Sequence, residues 1–346
     1  MNIKKDILET IGYFSNFAYP PDFDEIYVFL RKKTSKNALK MAILSLERQN
    51  RIIVIQNPKF RINNATRYTL PEYSTIRHPS SAIKQLDNYE LRITDSQKKL
   101  NNWRFRLFIR LISLFPQIKL VGLSGSVSMM NAKEGDDIDL FIITAKKRLF
   151  TGRFIALVLA QLFLLRRSRD SESEFFHTRA FPTPKGGAPL ESDKIRHSSS
   201  HINNKDKVCL NLFFDGRDLI VPKFKRTTYV GHEVLQMKPI VNKDKIYERF
   251  ISNNDWVFTL FPNAKTVLKF KIKNLKLNKN SKLIHSTSSG LMLSKVEALK
   301  IKNFGDLLED RLKKIQLSLI KKHQTTELIT NTQLWFHPED FGKLLS

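Results

Sequence analysis

Apolar positions along this chain recur with two periods, and the changes between them mark out its elements. Ile3, Ile7, Leu8, Ile11 and Phe14 keep helical spacing. Phe23, Ile26, Tyr27, Phe29 and Leu30 resume it after Pro20-Pro21-Asp22, and Leu39, Ala42, Ile43 and Leu46 follow Ser35, a residue suited to cap a third helix. That third helix leaves Lys36, Lys40 and Arg48 for the solvent side. Two short strands, Ile52 to Gln56 and Thr66 to Leu70, then flank a turn through Asn57-Pro58-Lys59, with Arg61 and Arg67 at a basic tip. Three helices and a hairpin predict a winged-helix domain over residues 1–75. Such a domain contacts DNA when its third helix enters a major groove, and otherwise serves as a protein-docking or packing module.

Beyond it, Pro79 to Pro116 reads as a long amphipathic helix region with Leu86, Tyr89, Ile93, Leu100, Trp103, Leu107, Ile109, Ile112 and Phe115 on its apolar side. Strand patterns follow at Leu120 to Leu123, Leu140 to Ile143 and Val208 to Phe214. On the last of these, alternation puts Cys209, Asn211, Phe213 and Asp215 on one face. Leu149 to Leu165 is strongly apolar, but its uninterrupted part lasts twelve residues after Arg153, against the roughly 20 that a bilayer needs. It predicts a buried helix and no transmembrane segment. An interfacial membrane helix is the alternative, since Arg166, Arg167 and Arg169 follow. Residues 168–206 are polar and rich in serine, a surface insertion whose His177, His197 and His201 lack metal-site spacing. From residue 223 on, the chain predicts a mostly helical C-terminal region. It holds a helical hairpin over residues 229–264, a basic tract at 265–282 with interleaved Phe270, Ile272, Leu275 and Leu277, and a closing amphipathic helix at 296–323. His232 and Glu233 are assigned to packing or capping, with lining an active site as the alternative.

The chemistry gathers between Leu120 and Thr144. A first apolar run ends in Ser124-Gly125-Ser126, and Asp137-Ile138-Asp139 opens the second. Alternation turns Asp137 and Asp139 to one side and Ile138, Leu140 and Ile142 to the other. Two carboxylates on one face can grip hard divalent cations, and backbone N–H groups at Gly125 with the Ser126 hydroxyl suit phosphate oxygens.

These residues resemble the nucleotidyltransferase superfamily that includes DNA polymerase beta, through Gly125-Ser126 followed by Asp137-x-Asp139 entering an apolar strand. With the winged-helix start, the Tyr229–Pro239 segment and the closing Phe336-His337-Pro338, the likeness extends to prokaryotic nucleotidyltransferase-like proteins of this layout. It departs at Met130, where many members have glycine. The resemblance implies an α+β fold with a mixed sheet across residues 76–222. It also implies a nucleoside triphosphate as substrate, two Mg²⁺ ions on Asp137 and Asp139, and phosphate contacts from Gly125 and Ser126. A third carboxylate is expected on the neighbouring strand. Asn211, a candidate nucleotide-binding residue, lies there in mid-strand and Asp215 at its end, so either Asp215 completes the catalytic set or Asn211 leaves it incomplete. In the second case the chain reads as a DNA-binding regulator or nucleotide sensor.

Net charge is +26, from 59 Lys and Arg against 33 Asp and Glu, a field that attracts nucleic acid, nucleotides or an anionic membrane. The chain is rich in Lys, Asn and Ile throughout, which tempers that inference, although the winged helix and the basic tract stay candidate nucleic-acid contacts. One cysteine excludes an intramolecular disulfide and, with a start that lacks a signal-peptide pattern, leads us to expect a cytoplasmic protein.

Overall fold

The computed structural model describes residues 3–55, 66–71, 79–167, 205–268, 295–321 and 327–336. The hairpin turn with Arg61, most of the polar insertion with its histidines, the lysines of the basic tract beyond residue 268, and the Phe336-His337-Pro338 ending after Phe336 lie outside the described residues.

The first unit has helices α1 (Ile3–Ser15), α2 (Phe23–Phe29) and α3 (Lys36–Arg48) and an antiparallel pair, β1 (Ile53–Ile55) and β2 (Arg67–Thr69). Asp22 and Glu25 form a reciprocal capping box that starts α2, and the Ser35 side chain accepts the Ala38 N–H to start α3. Ile7, Ile11, Ile26, Leu30, Leu39, Ile43 and Leu46 close its core. Lys36, Lys40 and Arg48 are exposed on the outer side of α3, with Lys36 bound to Asp24 at 2.6 Å. Arg67 departs from the expected basic tip. It reaches inward, donating to the Pro20 carbonyl at 2.8 Å and pairing with Glu25 at 3.2 Å, and its guanidinium lies against the Tyr19 and Tyr89 rings.

The long helical stretch is broken. α4 (Pro79–Asn101) and α5 (Trp103–Ile112) meet at Asn102, whose side chain accepts the Arg104 N–H and starts a new helix. The break turns the apolar face, so that Phe105, Phe108 and Ile112 are buried while Trp103, expected inside, is exposed.

A mixed six-stranded sheet follows in the order β6-β3-β4-β5-β8-β7, built from β3 (Ile118–Leu123), β4 (Ile138–Thr144), β5 (Val208–Asp215), β6 (Lys238–Asn242), β7 (Leu328–Ile329) and β8 (Gln333–Trp335). β4 and β5 are parallel and every other neighbouring pair is antiparallel. A parallel pair needs a crossover, and α7 (Leu149–Leu162) lies within it. The described residues from 223 on are mostly helical, but they also add three strands to the sheet. Lys238–Asn242, placed in a helical hairpin, forms the edge strand β6, where the missing N–H of Pro239 costs little. Two layers cover the sheet. On one face α5, α7 and the closing helix α11 (Lys295–Lys321) bury Val121, Leu123, Ile138, Leu140, Ile142 and Phe213. On the other, α8 (Thr228–Gln236) and α9 (Ile246–Asn253) pack on Leu120, Phe141, Ile143 and Phe214. A short α10 (Val257–Leu260) follows α9.

α11 is docked by charge as well as by apolar contact. Glu309 accepts the Phe150 and Thr151 N–H groups at 2.8 Å each and the Thr151 hydroxyl at 2.6 Å, capping α7 from another element. α7, expected to be buried, is buried on one side only, with Phe154, Val158 and Leu162 exposed on its outer side. No described helix is long and apolar enough to cross a membrane.

The N-terminal unit packs on the sheet unit through an aromatic cluster. His232 of α8 is sandwiched between Tyr13 and Phe29, with ring centroids 3.8 and 4.1 Å away, which bears out its packing role. Asn263 ties the two chemically, accepting the Thr34 N–H and donating to the Lys32 carbonyl, both at 3.0 Å.

Candidate active site

The head of β4 meets the end of β3 at a turn that only glycine fits. After β3 the chain passes through Ser124, whose N–H donates to the Asp139 carbonyl at 3.0 Å, into α6 (Gly125–Ser128). Gly125 has φ +61°, and a Cβ there would lie 2.2 Å from Asp139 Oδ2. The loop back to β4 is braced by a buried cation. Lys99 Nζ donates to the Glu134 and Asp136 carbonyls at 2.7 Å each and meets Asp206 at 3.3 Å. The Ser126 hydroxyl, expected to hold phosphate, donates to Asp136 at 3.2 Å, and Asp136 also accepts the Lys133 N–H at 2.9 Å.

Asp139 sits on the face away from Ile138, Leu140 and Ile142, as alternation requires, and Asp137 and Cys209 complete a group of donor atoms all within 4.8 Å of one another. Asp137 pairs with Arg167 at 2.9 Å. Burial, followed by the charges of Asp137 and Glu233, holds the Asp139 carboxyl well above the usual range, while a hydrogen bond from the Cys209 thiol and the charge of Arg167 oppose the rise. Burial and then Asp139 and Asp137 push the Cys209 thiol up as well. Glu233 is the group that sequence reasoning assigned elsewhere. Its carboxylate lines the same cleft as Asp139, and burial pushes its pKa up to about 7 against the lowering effect of the nearby Gly125 N–H. The signal that could have found it is an acid between the buried Val230 and Val234 of an amphipathic helix.

β5 departs from simple alternation. Its register against β4 shifts between the Asp139–Cys209 and Phe141–Leu212 pairs, so both Asn211 and Leu212 line the cleft, while Phe213 turns into the opposite core. Asn211 donates its amide to Cys209 Sγ. Asp215, the candidate third carboxylate, is not at the site. It pairs with Thr144 at the far end of β4 and is fully buried, where it accepts the Lys147 and Arg217 N–H groups at 2.9 Å each and forms an ion pair with the Arg217 side chain at 2.9 Å. At 3.3 Å or so per residue, the strand separates it from Asp139 by well over 10 Å. It organises a turn.

No protein-family model, curated protein or solved structure matches the chain.

The cleft beside Asp139 runs between the sheet and α8, with a cavity volume of about 120 Å³. Ser124, Asp139, Asn211, Lys225, Tyr229 and Glu233 supply its polar groups. The donor set fits one hard cation through its two carboxylates; a thiol is a ligand for softer ions. Among the described residues the sheet offers no third acid there, and the third carboxylate near Asp139 comes from a helix.

Proposed function

We propose that this protein is a metal-dependent nucleotidyltransferase, moving a nucleoside monophosphate from a nucleoside triphosphate to a hydroxyl acceptor. The observation that supports it is the convergence of Asp137 and Asp139 at the head of β4 with a glycine turn in contact with the Asp139 carboxylate. Asp137 and Asp139 would hold Mg²⁺, which supplies charge neutralisation for the triphosphate and a lowered pKa for the attacking hydroxyl. Like charges crowd this place, since Asp137 and Glu233 both disfavour ionisation of Asp139, and a cation relieves that repulsion. Arg167 supplies a positive charge to Asp137 meanwhile. Glu233, with a pKa pushed to about 7, is matched to accept the acceptor's proton at neutral pH. Gly125 and Ser126 would contact the phosphates, the Ser126 hydroxyl exchanging Asp136 for them.

Incubation with α-labelled nucleoside triphosphates and Mg²⁺ tests the reading. Label transfer to a co-purified or added acceptor is expected, with loss in Asp139→Asn. Absence of any triphosphate-induced rise in thermal stability, with and without Mg²⁺, would refute it.

A second reading rests on Asn211, an amide where the superfamily carries an acid, and on the uncovered outer side of α3 with Lys40 and Arg48. It makes the chain a DNA-binding regulator or nucleotide sensor. DNA binding unchanged by Asp139→Asn, with transfer absent in both forms, would select it.

A further inference from the structure

The walls of the cleft carry information that the carboxylates do not. Phe141, Phe214, Val234, Met237, Phe250 and Trp335 line it together with the polar Ser124, Asp139, Asn211, Lys225, Tyr229 and Glu233. The rings stand at steep angles to one another: Phe141 and Phe214 are 5.0 Å apart at 82°, Phe141 and Phe250 5.1 Å apart at 58°, and Phe214 and Trp335 5.3 Å apart at 53°. The rings are nearly buried, Phe141 and Phe250 at 3% and Trp335 at 9% exposure, and present narrow apolar edges to the cleft against which a further ring or branched alkyl group can pack. A triphosphate or a sugar placed there would lose its hydrogen bonds to water and find few in return, which is unfavourable. Binding sites for small molecules have this composition, an apolar body with a few polar groups that fix orientation.

We infer that this cleft is the acceptor site, and that it takes a compact, uncharged aromatic or branched aliphatic alcohol. The apolar body of the molecule packs among Phe141, Phe250 and Trp335, and its hydroxyl points to Asp139 and Glu233. The inference rests on the nucleotidyltransferase reading for the word acceptor, while binding itself is independent of nucleotide and metal.

Met237 gives a direct probe, because it lines the cleft and packs over Gly122, where a Cβ would lie 2.2 Å from its sulfur. The chain has six methionines, and Met41, which is exposed, serves as a surface control. With methyl-¹³C methionine in the full chain, and Met237 assigned through Met237→Leu, titration with 4-fluorophenol is expected to shift the Met237 methyl signal saturably and leave Met41 in place. Fluorobenzene is expected to bind at least tenfold more weakly, and glucose to leave the signal unmoved. Val234→Phe, which fills the cleft, is expected to weaken 4-fluorophenol at least tenfold; if that variant does not fold, the wild-type titration decides alone. An unmoved Met237, equal shifts by glucose, or fluorobenzene binding as tightly as 4-fluorophenol each overturns the inference. A silent Met237 alongside successful label transfer would leave nucleotidyl transfer standing and remove only this acceptor class. Binding without any transfer would do the reverse.

Discussion

Replacing Gly125 by alanine perturbs the candidate site at one atom, and the structure sets the size of the effect. The residue has φ +61°, which costs an L side chain about 1 kcal/mol or more. The added Cβ would also stand 2.2 Å from Asp139 Oδ2, where ordinary contact begins at 3.4 Å, so the carboxylate or the turn must retreat by about 1.2 Å. Asp139 makes room only by turning its carboxylate away from Gly125, out of its place within 4.8 Å of the Asp137 and Cys209 donor atoms. The variant is therefore expected to lose ~2–3 kcal/mol of stability in urea unfolding, strain and displacement together. A shift of that size at reacting groups is expected to cost roughly 10²-fold in nucleotidyl transfer. Gly135→Ala is the control, because nothing lies within 4 Å of its added carbon. The cause is isolated by a double-mutant cycle. In an Asp139→Ala background the carboxylate is gone, so Gly125→Ala should cost only the backbone term, about 1 kcal/mol. Equal costs in the two backgrounds would show that contact with Asp139 is not what demands glycine.

Other consequences are open to measurement. Lys99→Met leaves the Glu134 and Asp136 carbonyls without their buried donor and should lower stability by ~2–4 kcal/mol, with faster amide exchange in residues 133–138; unchanged midpoint and exchange would contradict the bracing role. Glu309→Ala removes the acceptor of three hydrogen bonds at the start of α7 and should cost ~2–4 kcal/mol, whereas Glu309→Gln, which keeps one acceptor oxygen, should cost less; equal losses would argue against hydrogen bonding as the cause. His232 is buried, with Nδ1 lacking a partner among the described residues, and desolvation, followed by the charge of Arg31, holds its pKa well below the usual value. The folded state therefore keeps the ring neutral while the unfolded chain protonates near pH 6.5, so stability is full above about that pH and falls by up to about 1.4 kcal/mol per unit as pH drops below it. His232→Phe should flatten that slope between pH 7 and 5, and an unaltered slope would place the titrating group elsewhere.

Periodicity alone located most elements. The three N-terminal helices, the hairpin strands, β3, β4, β5 and the closing helix follow from apolar spacing and from the Asp22 and Ser35 caps, since local burial and local hydrogen bonding dictate both. The facing of Asp139 was equally legible, because a strand two residues deep in an apolar run has only two sides. Tertiary structure decided the rest, for reasons no local pattern contains. A register shift in β5 brings Asn211 and Leu212 to the same cleft, and such a shift depends on the partner strand. β6 and β8 exist as strands because sheet edges next to β3 and β5 were available to short segments with little periodicity of their own. Glu233 meets Asp139 only because the helix that carries it packs on the sheet's second face, which no local pattern specifies. Sequence thus determined which two carboxylates share a face; the way the sheet's second face is covered determined the third, and the shape of the cleft between them.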